Sequence, residues 1–471
     1  MNMKIAFIHY HLKTGGVTTV MRQQIEAIQN RCDVLVLSGE ASETPFPAET
    51  CTIPELGYSD RLNYTPDPEI TAQKVIDAVF SKWNQGCQLI HVHNPTLAKN
   101  MQFLKILTAL KDRQIPLFLQ IHDFAEDGRP AVYFSEEYVS NCHYGVINSR
   151  DYHILLRSGL KKEGLHRIHN TINPIEQAEQ HQSENVRVLY PVRAIRRKNI
   201  GEAVLLSLFM DSGYQLSITL PPNSPKDIVS YERWKNFVSD MGIRVKFEEG
   251  LHHDFRELVG SAKFLITTSI NEGFGFSFLE PWTAGKLLWG RKIPKICRDF
   301  EAQGIRLDHL YDRLQIPIKW IGKEMFFKKW QNCILKVRSL YNFDLNLGDL
   351  QHCFHSFTRD GTVDFGLLSQ GLQQLVIRRV LSDPIAKDRL KDINPFLKHP
   401  GKVAGENEMI EYNRKLILKH YNRETYRDTL LSIYQKVAST PVTHRIDKKK
   451  LLAEFFIPDN FSLLKWSDEF E

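Results

Sequence analysis

A chain of 471 residues exceeds one ordinary hydrophobic core and implies two domains with some elaboration. Hydrophobic residues at 42% and charged residues at 25% are normal for a globular protein, and a net charge of +6 is far from the basic stripe that nucleic-acid binding leaves, so no nucleic-acid partner is expected. Residues 1–175 carry 17 basic and 18 acidic side chains; the remainder holds 44 and 37, a mild surplus that suits an anionic small ligand or an occasional anionic membrane surface.

The N-terminal MNMKIAFIHYHL has a strand-like apolar run (4–8, KIAFI), too short for a signal-peptide core. A loop with Thr14, Gly15 and Gly16 follows, then VTTVMRQQIEAIQ with apolar residues at helical spacing, then the strand DVLVL (33–37). Strand, glycine loop, helix, strand is a βαβ unit, and its repetition implies a parallel sheet with helices on both faces. Further strands are read at QLIHVH (88–93), PLFLQIH (116–122) and YGVINS (144–149), and HRIHNTINP (166–174) closes the first half. The polar run IEQAEQHQSEN (175–185) is the best linker candidate. A second α/β half begins at VRVLYPV (186–192) and continues through QLSITL (215–220), RVKFEE (244–249) and KFLITTS (263–269). Residues 300–400 read as a helical insertion, 405–436 as one long amphipathic helix or a close pair, and the tail as a helix packing back on the first domain. The expected fold class is therefore α/β, with two doubly wound, Rossmann-like domains, 1–178 (joined by the tail 440–471) and 186–436. The seven cysteines (32, 51, 87, 142, 297, 333 and 353) form no C-x-x-C pair and read as reduced thiols. With no apolar stretch of about 18 residues, a cytoplasmic chain is expected. The apolar-basic segment LLRSGLKKEGL (155–165), read as a helix, permits membrane contact; the oligomeric state is left open.

Chemistry concentrates first in EGFGFSFLE (272–280), between the strand KFLITTS and a helix read at FLEPWTAG. Gly273 and Gly275, with Phe274, Phe276 and Ser277 around them, let the backbone approach a ligand, and the following helix start offers N–H groups to an anion. Glu272 can accept hydrogen bonds from sugar hydroxyls, and Glu280 can grip a ribose. The alternatives are a solvated loop acid at Glu272 and a capping box from Ser277 to Glu280. Arg193 and Lys198, in YPVRAIRRKNIGEA, precede a helix whose N-cap is Asn199; two cations beside a helix start make a diphosphate site that stabilises a departing nucleoside diphosphate without a metal. A solvated basic loop that includes Arg196 and Arg197 is the alternative.

The order of these motifs resembles the GT-B glycosyltransferases, specifically the retaining glycosyltransferase family four. The resemblance rests on GGV (15–17), the strand-ending His122 and Asp123, INSRDY (147–152), IHNTIN (168–173), VRAIRRK (192–198) with Arg and Lys five apart, EGFGFSFLE with seven residues between its carboxylates, AGK (284–286) and NRETYRDTLLSIY (422–434). It covers roughly residues 1–300 and 405–436.

The resemblance implies two Rossmann-like domains facing a cleft whose closure excludes water. Arg193 and Lys198 would hold the donor diphosphate, Glu272 the donor-sugar hydroxyls and Glu280 the ribose. Backbone amides from Gly273 to Ser277 would line sugar and phosphates, Gly16 would approach the phosphates from the facing domain beside Gly15, and His122 would contact the reacting sugar. His93, Asn94 and Asp123 are candidates for the acceptor side. The implied activity, part of carbohydrate biosynthesis, moves a hexosyl group from a nucleotide-sugar to a hydroxyl acceptor with retention and with neither cofactor nor metal. A glycan phosphorylase, a sugar-nucleotide epimerase and a non-catalytic nucleotide-sugar-binding subunit are the rival readings. The chain departs from the family pattern at the PPN (221–223) that follows LSITL, at Thr171 in place of a glycine, in the insertion and in LLWGRKIPKICRDF. His9/His11, His91/His93 and His352/His355 read as packing or substrate lining rather than metal ligands, and Trp282 and Trp289 as core.

Overall fold

The computed structural model describes residues 2–176, 186–343, 348–458 and 461–466. It divides into two compact units, 1–171 with 421–455, and 172–420 with 456–471.

In the first unit the elements are β1 (Met3–His9), α1 (Gly16–Ile28), β2 (Cys32–Ser38), β3 (Glu49–Thr52), α2 (Pro68–Lys82), β4 (Leu89–His93), α3 (Phe103–Asp112), β5 (Leu117–Ile121), β6 (His143–Val146), α4 (Ser149–Arg157) and β7 (Leu165–Arg167). The seven strands pair in parallel in the order β3-β2-β1-β4-β5-β6-β7. Strands β4 and β5 are buried at every position, which is why they read as unbroken apolar runs interrupted only by His and Gln. Helix starts follow their caps: Asp67 accepts from the Ile70 N–H with Pro68 at the first position, and Asn148 accepts from the Asp151 N–H at 2.7 Å. β3 and α2 were not anticipated, because their polar, mixed composition has little period.

The second unit contains β8 (Val186–Arg193), α5 (Ile200–Ser207), β9 (Tyr214–Leu220), α6 (Pro225–Asp240), β10 (Val245–Lys246), α7 (Glu249–His252), α8 (Phe255–Ser261), β11 (Ala262–Thr267), α9 (Glu280–Thr283) and β12 (Leu288–Gly290). Its five strands are parallel, in the order β10-β9-β8-β11-β12. The stretch read as an insertion adds α10 (Pro294–Glu301), β13 (Gln315–Pro317), α11 (Lys323–Tyr341), α12 (Gly348–Phe357), β14 (Thr362–Asp364), α13 (Gln370–Ser382) and α14 (Pro384–Ile393), with β13 and β14 antiparallel.

The segment 405–436 is a pair, α15 (Glu406–His420) and α16 (Arg423–Ser439), and the two belong to different units. The sequence reading ran the second domain to 436; in the structure α16 lies on α1 of the first unit. Tyr426, Leu430, Ile433, Tyr434 and Val437 share a core there with Phe7, Met21 and Ile25. Five such side chains, at roughly 1.5–3 kcal/mol each, outweigh continuity with α15. Thr171, the departure from the family turn, donates its hydroxyl to the Tyr421 carbonyl at 2.7 Å, where the chain returns to this unit.

The tail divides too. α17 (Lys448–Phe455) buries Leu451 and Phe455 in the first unit, while α18 (Leu463–Trp466) belongs to the second, where Ser462 donates to the Gly366 carbonyl at 2.8 Å. Most of the expected linker, 177–185, lies outside the described residues. The segment 155–165 is not a helix: α4 ends at Arg157, a turn follows with Gly159 at φ 107°, and a short 3-10 turn spans Lys162–Gly164. No helix among the described residues is long and apolar enough to cross a membrane. None of the seven cysteines forms a disulfide among the described residues.

Candidate functional site

In parallel α/β sheets ligands gather at the carboxyl ends of the strands, and the candidate residues of each unit lie there.

In the second unit β8 ends at Arg193, and a 3-10 turn, Arg196–Lys198, leads to Asn199, whose left-handed φ of 52° opens α5. The loop after β11 is stitched to this turn. Tyr190 Oη donates to the Lys198 carbonyl at 2.6 Å, Thr268 Oγ1 donates to the same carbonyl at 3.0 Å, and the Ile270 N–H donates to the Arg197 carbonyl at 3.0 Å. The stitching sets Lys198 against Glu272, and the two form a largely buried ion pair. Burial pushes the Glu272 carboxyl up, but Lys198 and Arg197 together pull it below its ordinary value; burial holds the Lys198 ammonium below its own despite Glu272. Glu280 lies close enough for Lys198 to act on it, yet burial dominates and pushes its carboxyl up to about 7.

The structure thus brings together Lys198, Glu272 and Glu280. Arg193 is exposed and donates to the Pro221 carbonyl at 2.9 Å, in the PPN turn that departs from the family pattern. The second cation acting on Glu272 is Arg197, one of the two arginines of the solvated-loop alternative. α9 is only four residues long, so the extended helix FLEPWTAG is not formed. The capping box is absent as well: no side chain caps α9, and Ser277 Oγ is buried without a hydrogen-bond partner among the described residues. Gly275 is required by the backbone, at φ 91°, where a Cβ would come within 2.8 Å of the Phe278 ring. Phe274 is buried, Phe276 stacks edge-on to it at 5.0 Å, and Gly273 lies beside Glu272. Trp282 and Trp289 are core residues.

A network that sequence reasoning missed lies beneath this turn. Arg291, in the unusual LLWGRK stretch, donates two hydrogen bonds to Glu202, at 2.8 and 2.6 Å, and two to Asp364 of β14, at 2.9 and 2.7 Å. Asn199 Nδ2 donates to Glu202 at 2.8 Å, and Gln373 of α13 donates to Asn199 Oδ1 at 2.9 Å. The expected insertion therefore supplies Gln373 to Asn199, the residue next to Lys198, and Asp364 to Arg291. The acid in the first turn of α5 was the only sequence signal.

In the first unit His122 follows β5, and its backbone N–H donates to Asn94 Oδ1 at 2.8 Å, as does that of Asp123 at 3.2 Å. Asn94, at φ 51°, turns the chain after β4. His122 Nε2 and His93 Nδ1 share a hydrogen bond of 2.8 Å. His91 is tied to Gln120 and to Tyr434 of α16, both at 2.9 Å, so the neighbouring imidazole of β4 is fixed inside the core. Burial lowers His122 to about 4 and His9 to about 3, so these rings are neutral at ordinary pH. Asp123 pairs with Arg129 at 3.1 Å. Gly15 and Gly16 begin α1 exposed, and a Cβ on Gly16 would meet nothing within 4 Å, so packing in this unit does not demand that glycine. Among the described residues no group of three or more His, Cys, Asp or Glu is arranged to hold a metal ion.

Two parallel α/β sheets built in this way, with polar side chains clustered on their carboxyl edges, define the class as the GT-B fold of glycosyltransferases. No protein-family model matches the chain. Mannosylglucosyl-3-phosphoglycerate synthase of Petrotoga mobilis is 24% identical over 515 aligned positions, covering 97% of this chain and 98% of that protein. Sucrose-phosphate synthase from Thermosynechococcus elongatus superposes with a TM-score of 0.54 at 15% identity, over 92% of this chain and 98% of that one. The Anabaena protein HepE, solved with UDP-glucose, gives 0.52 at 14% identity, over 92% and 100%. The solved structures agree on the architecture: this chain has the GT-B fold.

Proposed function

We propose that this chain moves a hexosyl group from a nucleotide-sugar to a hydroxyl acceptor, with retention of anomeric configuration and without a bound metal. The observation that carries the reading is the buried Lys198–Glu272 pair with Glu280 beside it, at adjoining strand ends of the second unit. A lysine held in a dry environment next to acids is costly unless a ligand uses it. On this reading Lys198 and the exposed Arg193 neutralise the diphosphate as the glycosidic bond breaks, which is electrostatic stabilisation of a leaving group. Lys198 and Arg197 keep Glu272 ionised to accept from the sugar hydroxyls, Glu280 accepts from the ribose, and backbone amides from Gly273 to Ser277 line the phosphates. The first unit, with Gly15 and Gly16 in its glycine loop, presents the acceptor, and His122 there contacts the reacting sugar beside His93, Asn94 and Asp123.

UDP-glucose, the ligand in the HepE structure, is the first donor to test, with GDP- and ADP-sugars after it. The name of the Petrotoga mobilis relative favours an acceptor of the phosphoglycerate class. Seven cysteines outside any disulfide fit action in the cytoplasm. A thermal-shift screen identifies the donor, since a ligand that binds only the folded state raises the melting temperature by mass action. NMR of the product then reads the anomer. Sugar phosphate released from a glycan without nucleotide would instead establish phosphorolysis, and donor binding without turnover would establish a binding subunit.

A further inference from the structure

A belt of rings crosses the carboxyl edge of the first sheet. From His122 it passes to His93, then to His9 with ring centroids 6.2 Å apart, to His11 at 5.3 Å, and to Tyr58 at 5.2 Å. Its far end is cationic. Arg61 lies over the Tyr58 ring at 5.1 Å and Lys99 over the same ring at 5.3 Å, while His11 Nε2 meets Tyr58 Oη at 3.1 Å.

Rigid backbone contacts build this end. Asn100, fully buried, donates to the Glu55 and Gly57 carbonyls at 2.7 and 2.8 Å, and the Ser59 N–H donates to the Lys99 carbonyl at 2.9 Å. The Ala98 N–H donates to the Val132 carbonyl at 2.8 Å, which brings in the loop that carries Arg129. Lys13 and Arg61 share Glu40, Arg129 holds Asp123, and Asp60 lies nearby. Among the described residues Lys99 has no ion pair, although it is half-buried; burial and Arg129 hold its ammonium below the ordinary value. Four cations facing three acids, with the half-buried one unpaired, leave room for one more negative group.

We propose that Lys99, Arg61 and Arg129, gathered around Tyr58 and His11, bind an acid group of the acceptor, a phosphate or a carboxylate, while the ring belt carries its sugar or hydroxyl end toward His122. The inference rests on the reading of the first unit as the acceptor side. Desolvating Lys99 costs less once an anion replaces the lost water, and the guanidinium groups offer paired donors suited to such oxygens.

The test is calorimetric titration of the full chain with 3-phosphoglycerate, glycerol 3-phosphate and D-glycerate, with UDP-glucose and GDP- and ADP-sugars titrated alongside. The chain should bind 3-phosphoglycerate, and the stronger of the other two identifies the acid group that is read. Lys99→Met and Arg129→Gln should each weaken 3-phosphoglycerate about tenfold and leave nucleotide-sugar affinity unchanged. Circular dichroism checks the fold of both variants, and Arg129→Gln carries the test if Lys99→Met does not fold. No measurable binding of any of the three acids, or unchanged 3-phosphoglycerate affinity in the folded variants, overturns the site. Acid binding with no nucleotide-sugar binding would instead strike the glycosyl-transfer reading and leave this site standing.

Discussion

At the carboxyl edge of the first sheet, five imidazoles (His9, His11, His91, His93 and His122) crowd together, and burial keeps every one of them below its ordinary pKa. At the corresponding edge of the second sheet the groups are charged and paired: Lys198 with Glu272, and Arg291 between Glu202 and Asp364. Both edges are buried, but they meet the cost of burial differently. An imidazole escapes it by staying neutral, and neighbouring rings then satisfy each other's nitrogens, as His93 and His122 do. A lysine or guanidinium buried at the other edge needs a carboxylate beside it. The first edge is consequently a surface of neutral donors and acceptors suited to hydroxyls, with cations confined to its rim, and the second is suited to a diphosphate.

The contrast can be broken at its strongest point. Arg291→Met leaves two buried carboxylates without their cation and should cost about 3–5 kcal/mol, read as a lower urea midpoint. A loss under 1 kcal/mol would show that the network does not hold the Lys198 turn. Lys198→Ala should lower kcat/KM for transfer by about 10²–10³-fold while the fold persists by circular dichroism; full activity would remove the second edge from catalysis.

A smaller effect comes from Glu280. Its folded carboxyl titrates near 7 against 4.5 unfolded, so its contribution to stability is whole below 4.5 and is lost as pH rises through 7. Glu280→Gln should therefore melt higher than the parent at about pH 8 and converge with it below about pH 4.5; identical melting at both would contradict the burial argument. The smallest signal is at the histidine edge. With His122 at about 4 and His9 at about 3, kcat/KM should show no histidine inflection between about pH 5.5 and 8. An inflection near 6.5 that disappears in His122→Asn would mean that edge carries charge after all.

Much of this was legible beforehand. Strands β4, β5, β8 and β11 announce themselves as apolar runs, because a strand buried on both faces must be apolar along its length, and that is a local property. The glycine-spaced pair Glu272 and Glu280 is likewise local, as is the position of His122 at a strand end. A short element of mixed composition, such as β3, left no period to read.

The sequence by itself determined the α/β class, the repeat of βαβ units and the residue types gathered at the strand ends, since each follows from neighbours within a few positions. Only the tertiary structure decided that Arg197 rather than Arg193 acts on Glu272, that Arg291 bridges Glu202 and Asp364 while Gln373 reaches Asn199, and that α16 leaves α15 for the first unit. Those outcomes depend on which buried charge finds a partner and which apolar face finds a core, and both are settled between residues far apart in the chain.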